Sequence, residues 1–128
     1  MTQIIYTDKA PKAIGPYSQG VIVGDLLFLS GQIPVDPTTN EVVESDMITQ
    51  TNQIMKNIAA ILESQHLSIK NIVKTTIFLK DMQQFALLNE EYSRHLGDHR
   101  PARSTVEVSR LPKDVLVEIE VIASIKTK

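Results

Sequence analysis

Pro101-Ala102-Arg103-Ser104-Thr105-Val106-Glu107-Val108, read against the run from Val115 to Ile125, is the part of the chain on which the rest depends. Both segments alternate with a period of two, so each reads as a strand. Arg103, Thr105 and Glu107 share one face of the first. In the second, Val115, Val117, Ile119, Val121, Ala123 and Ile125 form an apolar face, backed by Leu116, Glu118, Glu120, Ile122 and Ser124. The link Ser109 to Asp114 contains Pro112 and reads as a hairpin loop. A hairpin centred there sets Val108 opposite Val115, Thr105 opposite Glu118 and Arg103 opposite Glu120, gathering a guanidinium, a hydroxyl and two carboxylates on one face. Such a row is either the wet side of an antiparallel sheet or a site. Two features favour a site. Pro101 fixes its own φ at the entry to the strand and so stiffens the approach to Arg103. Leu116 and Ile122 interrupt the polar row, as on a face that is half covered.

Outward from this pair, the chain supplies a first strand at Gln3 to Thr7 and then an extended, turning segment with Pro11, Gly15 and Pro16 that holds Tyr17 on a loop. Gln19 to Val23 and Leu26 to Ser30 flank Gly24-Asp25, a glycine-first link suited to a type II′ hairpin. Ser30-Gly31 closes the second strand, where glycine lets a backbone amide approach a small molecule. A polar excursion from Pro34 to Val43 carries signals for a small hairpin. Ser45 or Asp46 caps a helix with the stripe Met47, Thr51, Ile54, Met55, Ile58, Ile61 and Leu62, ending near His66. Asn71 to Lys80 is a further strand. Asp81 with Gln84 has the form of a capping box for a second helix, with the stripe Phe85, Leu88, Tyr92 and Leu96, Asn89 at its edge, and Gly97 as its stop.

This order predicts an α+β domain spanning residues 1–128, a mostly antiparallel sheet with two helices on one face. Its second face is too apolar for water: Leu26 or Leu27, Phe28, Thr76, Phe78, Leu116 and Ile122. Self-association burying sheet against sheet is the expected remedy, hence a homo-oligomer.

Composition narrows the function. In 128 residues, 42% hydrophobic and 22% charged, the net charge is −2 and the basic residues are scattered, which argues against nucleic acid as a partner. Cysteine is absent, excluding disulfides and a thiolate nucleophile and fitting a reducing compartment. With neither a secretory pattern nor a membrane-length apolar run, a cytoplasmic protein without membrane partners is expected. His66, His95 and His99 are the only histidines, and Gly97 breaks the helix that would align the last two, so no metal site is expected. No phosphate loop, dinucleotide fingerprint or nucleophile elbow occurs, and no cofactor is expected. What remains is Arg103, whose planar fork of donors suits a small carboxylate, with Glu118 beside Thr105 able to hold a water molecule and take its proton.

Several stretches in order resemble one family: Gly15-Pro16-Tyr17-Ser18-Gln19, Ser30-Gly31-Gln32-Ile33-Pro34, Ile72-Val73-Lys74-Thr75-Thr76, Pro101 to Val108, Arg110-Leu111-Pro112-Lys113-Asp114-Val115 and Glu118-Ile119-Glu120. Together they are similar to the RidA (YjgF) family over essentially the whole chain. The resemblance implies a chorismate-mutase-like fold, a homotrimer with its sheets in an inner barrel, and active sites in clefts between subunits. It implies 2-iminobutanoate/2-iminopropanoate deaminase activity, the hydrolysis of reactive enamine and imine acids released by pyridoxal-phosphate dehydratases to 2-keto acids and ammonia. By position, Arg103 would grip the substrate carboxylate, Glu118 and the backbone at Thr105 would place the water, and Tyr17, Ser30, Gly31 and Asn89 would line the pocket. Family members often carry cysteine where Thr105 stands. Relatives described as ligand-binding regulators or ribonucleases keep a second class open, a small-carboxylate receptor or an endoribonuclease.

Overall fold

The computed structural model describes residues 2–126. Among the described residues there are eight strands: β1 (Thr2–Ile5), β2 (Gly20–Val23), β3 (Leu26–Gln32), β4 (Val35–Asp36), β5 (Glu41–Val42), β6 (Ile72–Leu79), β7 (Ala102–Glu107) and β8 (Val117–Ser124). Two helices, α1 (Met47–Glu63) and α2 (Phe85–Leu96), accompany them. Six strands form one sheet in the order β1-β2-β3-β8-β6-β7, antiparallel except for β6 and β7; β4 and β5 form the small separate hairpin. The predicted α+β layering is therefore observed, with the helices on one face.

Burial explains the layering. Asp46 caps α1 by accepting from the Thr49 amide at 2.9 Å, and hydrogen bonding from the Thr49 side chain first, then from its amide, holds the carboxyl below the ordinary range. The helix then turns Met47, Thr51, Ile54, Met55, Ile58, Ile61 and Leu62 into the core, as its spacing predicts. They meet Leu27, Ile77, Leu79, Ile119 and Val121 from the sheet. Each large aliphatic side chain withdrawn from water contributes about 1.5–3 kcal/mol, which is why amphipathic spacing alone locates this helix.

The hairpin expected between residues 101–108 and 115–125 does not form. β7 pairs with β6 in parallel, Arg103 beside Thr75 and Thr105 beside Ile77, while β8 lies on the other side of β6. β6 and β7 are joined through α2, the helical crossover that a parallel pair requires. The segment after β7 instead steps over one strand, a span of two interstrand spacings or roughly 10 Å. It is held by Val108 N–H to the Leu79 carbonyl at 2.8 Å, Lys80 N–H to the Leu116 carbonyl at 3.0 Å, and Leu116 N–H to Gln50 Oε1 at 2.8 Å. Lys113 and Asp114 turn it with φ of 57° and 56°.

Three smaller expectations also shift. Gln84 closes no capping box: Met82–Gln84 is a separate 3₁₀ turn capped by Asp81, which accepts from Gln83 N–H, and α2 begins at Phe85. Of the Leu26/Leu27 alternatives, Leu27 is core and Leu26 lies on the other face. A register shift between Ile72 and Lys74 puts Ile72 in the core and leaves Val73 exposed, the reverse of simple alternation. On the sheet face away from the helices, Phe28 and Val106 remain 39% and 42% exposed in the single chain.

Candidate active site

Arg103 is half-buried on the helix side of the edge strand β7. Its Nη1 donates to Asn89 Oδ1 at 2.7 Å, and its Cζ lies 5.3 Å from the ring centre of Phe85 and 5.4 Å from that of Tyr92. Phe85, Asn89 and Tyr92 fall four and three residues apart, so one stripe of α2 presents two rings and an amide to the same guanidinium. Tyr92 is fixed in turn by a 2.8 Å bond between its hydroxyl and Thr75 Oγ1, on the strand beside Arg103. Burial pushes the Tyr92 phenol up, against the opposing effects of Thr75, Arg103 and Arg100, so it stays a neutral hydrogen-bonding group. Among the described residues no carboxylate pairs with Arg103. The guanidinium is held in place beside an open cavity of about 490 Å³, an arrangement whose donors suit an anion. Thr105, two residues further along the same face, buries its Oγ1 without a hydrogen-bond partner among the described residues.

Glu118 is elsewhere. Its row runs through Phe78 to Val106, whereas the Thr105 row runs through Ile77 to Ile119 and the Arg103 row through Thr75 to Val121. The expected pairing of Thr105 with Glu118 is thus wrong by one residue, and a one-residue slip moves every side chain to the opposite face. Glu118 and Glu120 lie on the sheet face away from the helices, and Arg103 and Thr105 lie on the helix side. The single-face cluster is corrected accordingly. Within one chain the sheet itself separates the guanidinium from the carboxylate.

Around Glu118 a second group assembles. A Cβ built on Gly31 would overlap Glu118 Oε2 and stand 2.9 Å from its Cδ, so glycine here makes room for the carboxylate to lie against β3. Ser30 Oγ donates to the Ser18 carbonyl and Ser30 N–H to the Gln19 carbonyl, tying this end of β3 to the loop that carries Tyr17, which is 53% exposed. The loop owes its shape to Gln19, buried to 2%. Its Oε1 accepts from Thr7 N–H at 2.7 Å, and its Nε2 donates to the Thr7 and Pro11 carbonyls at 2.9 and 2.8 Å. Burial first, and the Glu120 charge second, raise the Glu118 carboxyl above the usual range, the direction expected of a proton-transfer group. Sequence reasoning missed the roles of Gln19, Phe85 and Tyr92. The last two were hidden inside a stripe that reads as core, though their spacing around Asn89 already places all three on one side of α2.

The candidate site residues therefore fall into two groups, each a candidate half-site: Asn89, Arg103 and Thr105 on the helix side of β7, and Tyr17, Ser30, Gly31 and Glu118 around the far face. No group of metal-ligating side chains occurs among the described residues, nor any helix long and apolar enough to cross a membrane.

Comparison with known proteins gives this arrangement its relatives. The profile of the family described as Endoribonuclease L-PSP matches residues 7–125. A 2-iminobutanoate/2-iminopropanoate deaminase of Salmonella typhimurium is 51% identical over 126 residues, covering 96% of this chain and 98% of that protein. The structure of the YjgF gene product from E. coli superposes with a TM-score of 0.92 at 49% identity, covering 97% of this chain and 99% of that one. E. coli TdcF, solved with bound serine, gives 0.90 at 46% identity over 95% and 98% of the two chains. The chain belongs to the RidA/YjgF family, the Endoribonuclease L-PSP family of the matching profile.

Proposed function

We propose that this protein hydrolyses reactive 2-imino and 2-enamino acids, of the kind released by pyridoxal-phosphate dehydratases, to 2-keto acids and ammonia. The observation that carries the reading is the half-buried Arg103 guanidinium, braced by Asn89, Phe85 and Tyr92 and without a carboxylate partner among the described residues. It suits the one group these substrates share, a carboxylate next to the reacting carbon. The deaminase relative and the serine-bound TdcF, whose ligand is also a small 2-substituted acid, point the same way.

Because one chain holds its two half-sites on opposite faces of the sheet, the catalytic unit in this reading is made by two copies. One contributes Arg103, Asn89 and the backbone at Thr105; the other contributes Tyr17, Ser30, Gly31 and Glu118. The apolar sheet face with Phe28, Ile122 and Val106 supplies the contact, and a closed trimer with the sheets inside buries it in every copy. Arg103 then fixes the carboxylate and aligns the imine carbon. Glu118, with its raised carboxyl, orients a water and takes its proton as the oxygen adds to the C=N carbon, then returns it to the nitrogen as ammonia leaves.

An endoribonuclease reading takes its support from the family description. A net charge of −2 gives that reading no electrostatic support. A receptor without catalysis needs Arg103 and leaves the raised Glu118 without a task. The test is semicarbazide competition: imine made by a threonine dehydratase is trapped as its semicarbazone, and the deaminase shortens that pool in proportion to its concentration. Unaltered trapping at any protein concentration would refute the activity.

A further inference from the structure

The cavity beside Arg103 holds a second guanidinium that the proposed reaction leaves unused. Asn89, Tyr92, Ser93, Arg100 and Arg103 all line it, with Glu90 at its rim. Arg100 stands three residues before Arg103, just ahead of Pro101, whose ring stiffens the chain between them. Its Nη1 donates to the Gly97 carbonyl at 2.7 Å and the His99 carbonyl at 2.8 Å, which closes the end of α2 and holds the exposed side chain in place. Among the described residues, its Nε and Nη2 make no hydrogen bond and no acid pairs with it. Arg100 and Arg103 line the same cavity together with Tyr92. Glu90, which also lines the cavity, pairs with Arg94 at 3.8 Å.

We propose that Arg100 forms a second carboxylate subsite, so that the protein accepts imines of 2-amino dicarboxylic acids as well as those of monocarboxylic ones. This deepens the deaminase reading and rests on it. Arg103 holds the carboxylate next to the imine, and Arg100 receives the one at the far end of the side chain. The chemistry is unchanged. Water oxygen adds to the C=N carbon, the C–N bond breaks, and the two protons of water leave on nitrogen as ammonia, giving the 2-keto dicarboxylate.

The experiment compares imines made in place by flavin amino-acid oxidases from L-glutamate and from L-alanine, with semicarbazide trapping at matched oxidase flux. Arg100→Met keeps the apolar stem and removes the charge, and Arg100→Lys restores a point charge. The loss of a charge-assisted contact predicts a fall of about tenfold to a hundredfold in the dicarboxylic-to-monocarboxylic ratio of kcat/KM for Arg100→Met, with partial recovery in Arg100→Lys. A ratio within about twofold of the unsubstituted protein would show that Arg100 only closes the helix end. Calorimetry with 2-oxoglutarate and pyruvate separates this idea from the one beneath it. If neither imine is hydrolysed, the deaminase reading falls. The subsite then stands if Arg100→Met selectively weakens 2-oxoglutarate, and is refuted if both affinities keep their ratio.

Discussion

Replacing Gly31 by alanine tests the role of Glu118 without touching its chemistry. Gly31 carries no positive φ, so alanine meets no backbone penalty there. Its Cβ, however, would overlap Glu118 Oε2 and stand 2.9 Å from Cδ. Carbon atoms rest at about 3.5–4.0 Å, so the carboxylate must move by roughly 1 Å, which the flexible Glu118 side chain can do while the strands hold their pairing. Displacement of a reacting group by about 1 Å costs on the order of a hundredfold in rate. Gly31→Ala should therefore fold and melt close to the unsubstituted protein and bind 2-oxobutanoate within a fewfold of it. Its rate of imine hydrolysis, followed by loss of semicarbazone signal, should fall about a hundredfold. Wild-type turnover in Gly31→Ala would mean that the carboxylate beside β3 does not handle the water, and the assignment of Glu118 would be lost.

Arg103→Ala should abolish nearly all hydrolysis, since a bidentate charge-assisted contact is worth about 3 kcal/mol, on the order of a hundredfold. Arg103→Lys should rescue poorly, because a point charge reproduces neither the fork nor the stacking on Phe85 and Tyr92; full rescue, read in the same trapping assay, would reduce Arg103 to a generic positive charge. The pH profile follows from Glu118, whose carboxyl burial holds above the ordinary range. As the base it must be ionised, so kcat should fall as pH drops through that raised value, and the acid limb should vanish from the residual rate of Glu118→Gln. Stability should run the other way. A raised folded-state pKa favours the protonated form, so this contribution is complete below the unfolded-state value and is lost as pH rises through the folded one. Urea midpoints of the Glu118→Gln variant should lack that component.

Much of this architecture is legible in the sequence because burial imposes a period. The α1 stripe from Met47 to Leu62 and the alternation of Val117, Ile119, Val121 and Ala123 lie in the core as their spacing requires. What spacing does not carry is partner choice. Residues 101–108 and 115–125 do run antiparallel to each other, but β6 lies between them, and short-range signals at Pro112 cannot distinguish a turn from a step over one strand. That single error in neighbourhood shifted the register by one and moved Glu118 to the wrong side of the sheet. Candidate residues such as Arg103 and Glu118 can be picked out one at a time by motif and chemistry, whereas Gln19, Phe85 and Tyr92 are hidden in a turning loop and a core-like stripe. The division of the candidates into two half-sites depends on long-range pairing, which no local pattern encodes. The Ile72 and Val73 inversion has the same origin, a register shift set by β8 and invisible within β6.

The central claim is that one working site takes Arg103 from one copy and Glu118 from another, and subunit mixing tests it most directly. Arg103→Ala and Glu118→Gln chains, each nearly inactive alone, are co-expressed with different tags, and the mixed oligomers are isolated through both tags. If half-sites pair between copies of a closed trimer, every mixed trimer, whichever chain is in the majority, has one of its three interfaces with an intact Arg103 facing an intact Glu118, and imine hydrolysis should return to about a third of the unsubstituted rate. Mixed oligomers no more active than either parent would contradict the composite site.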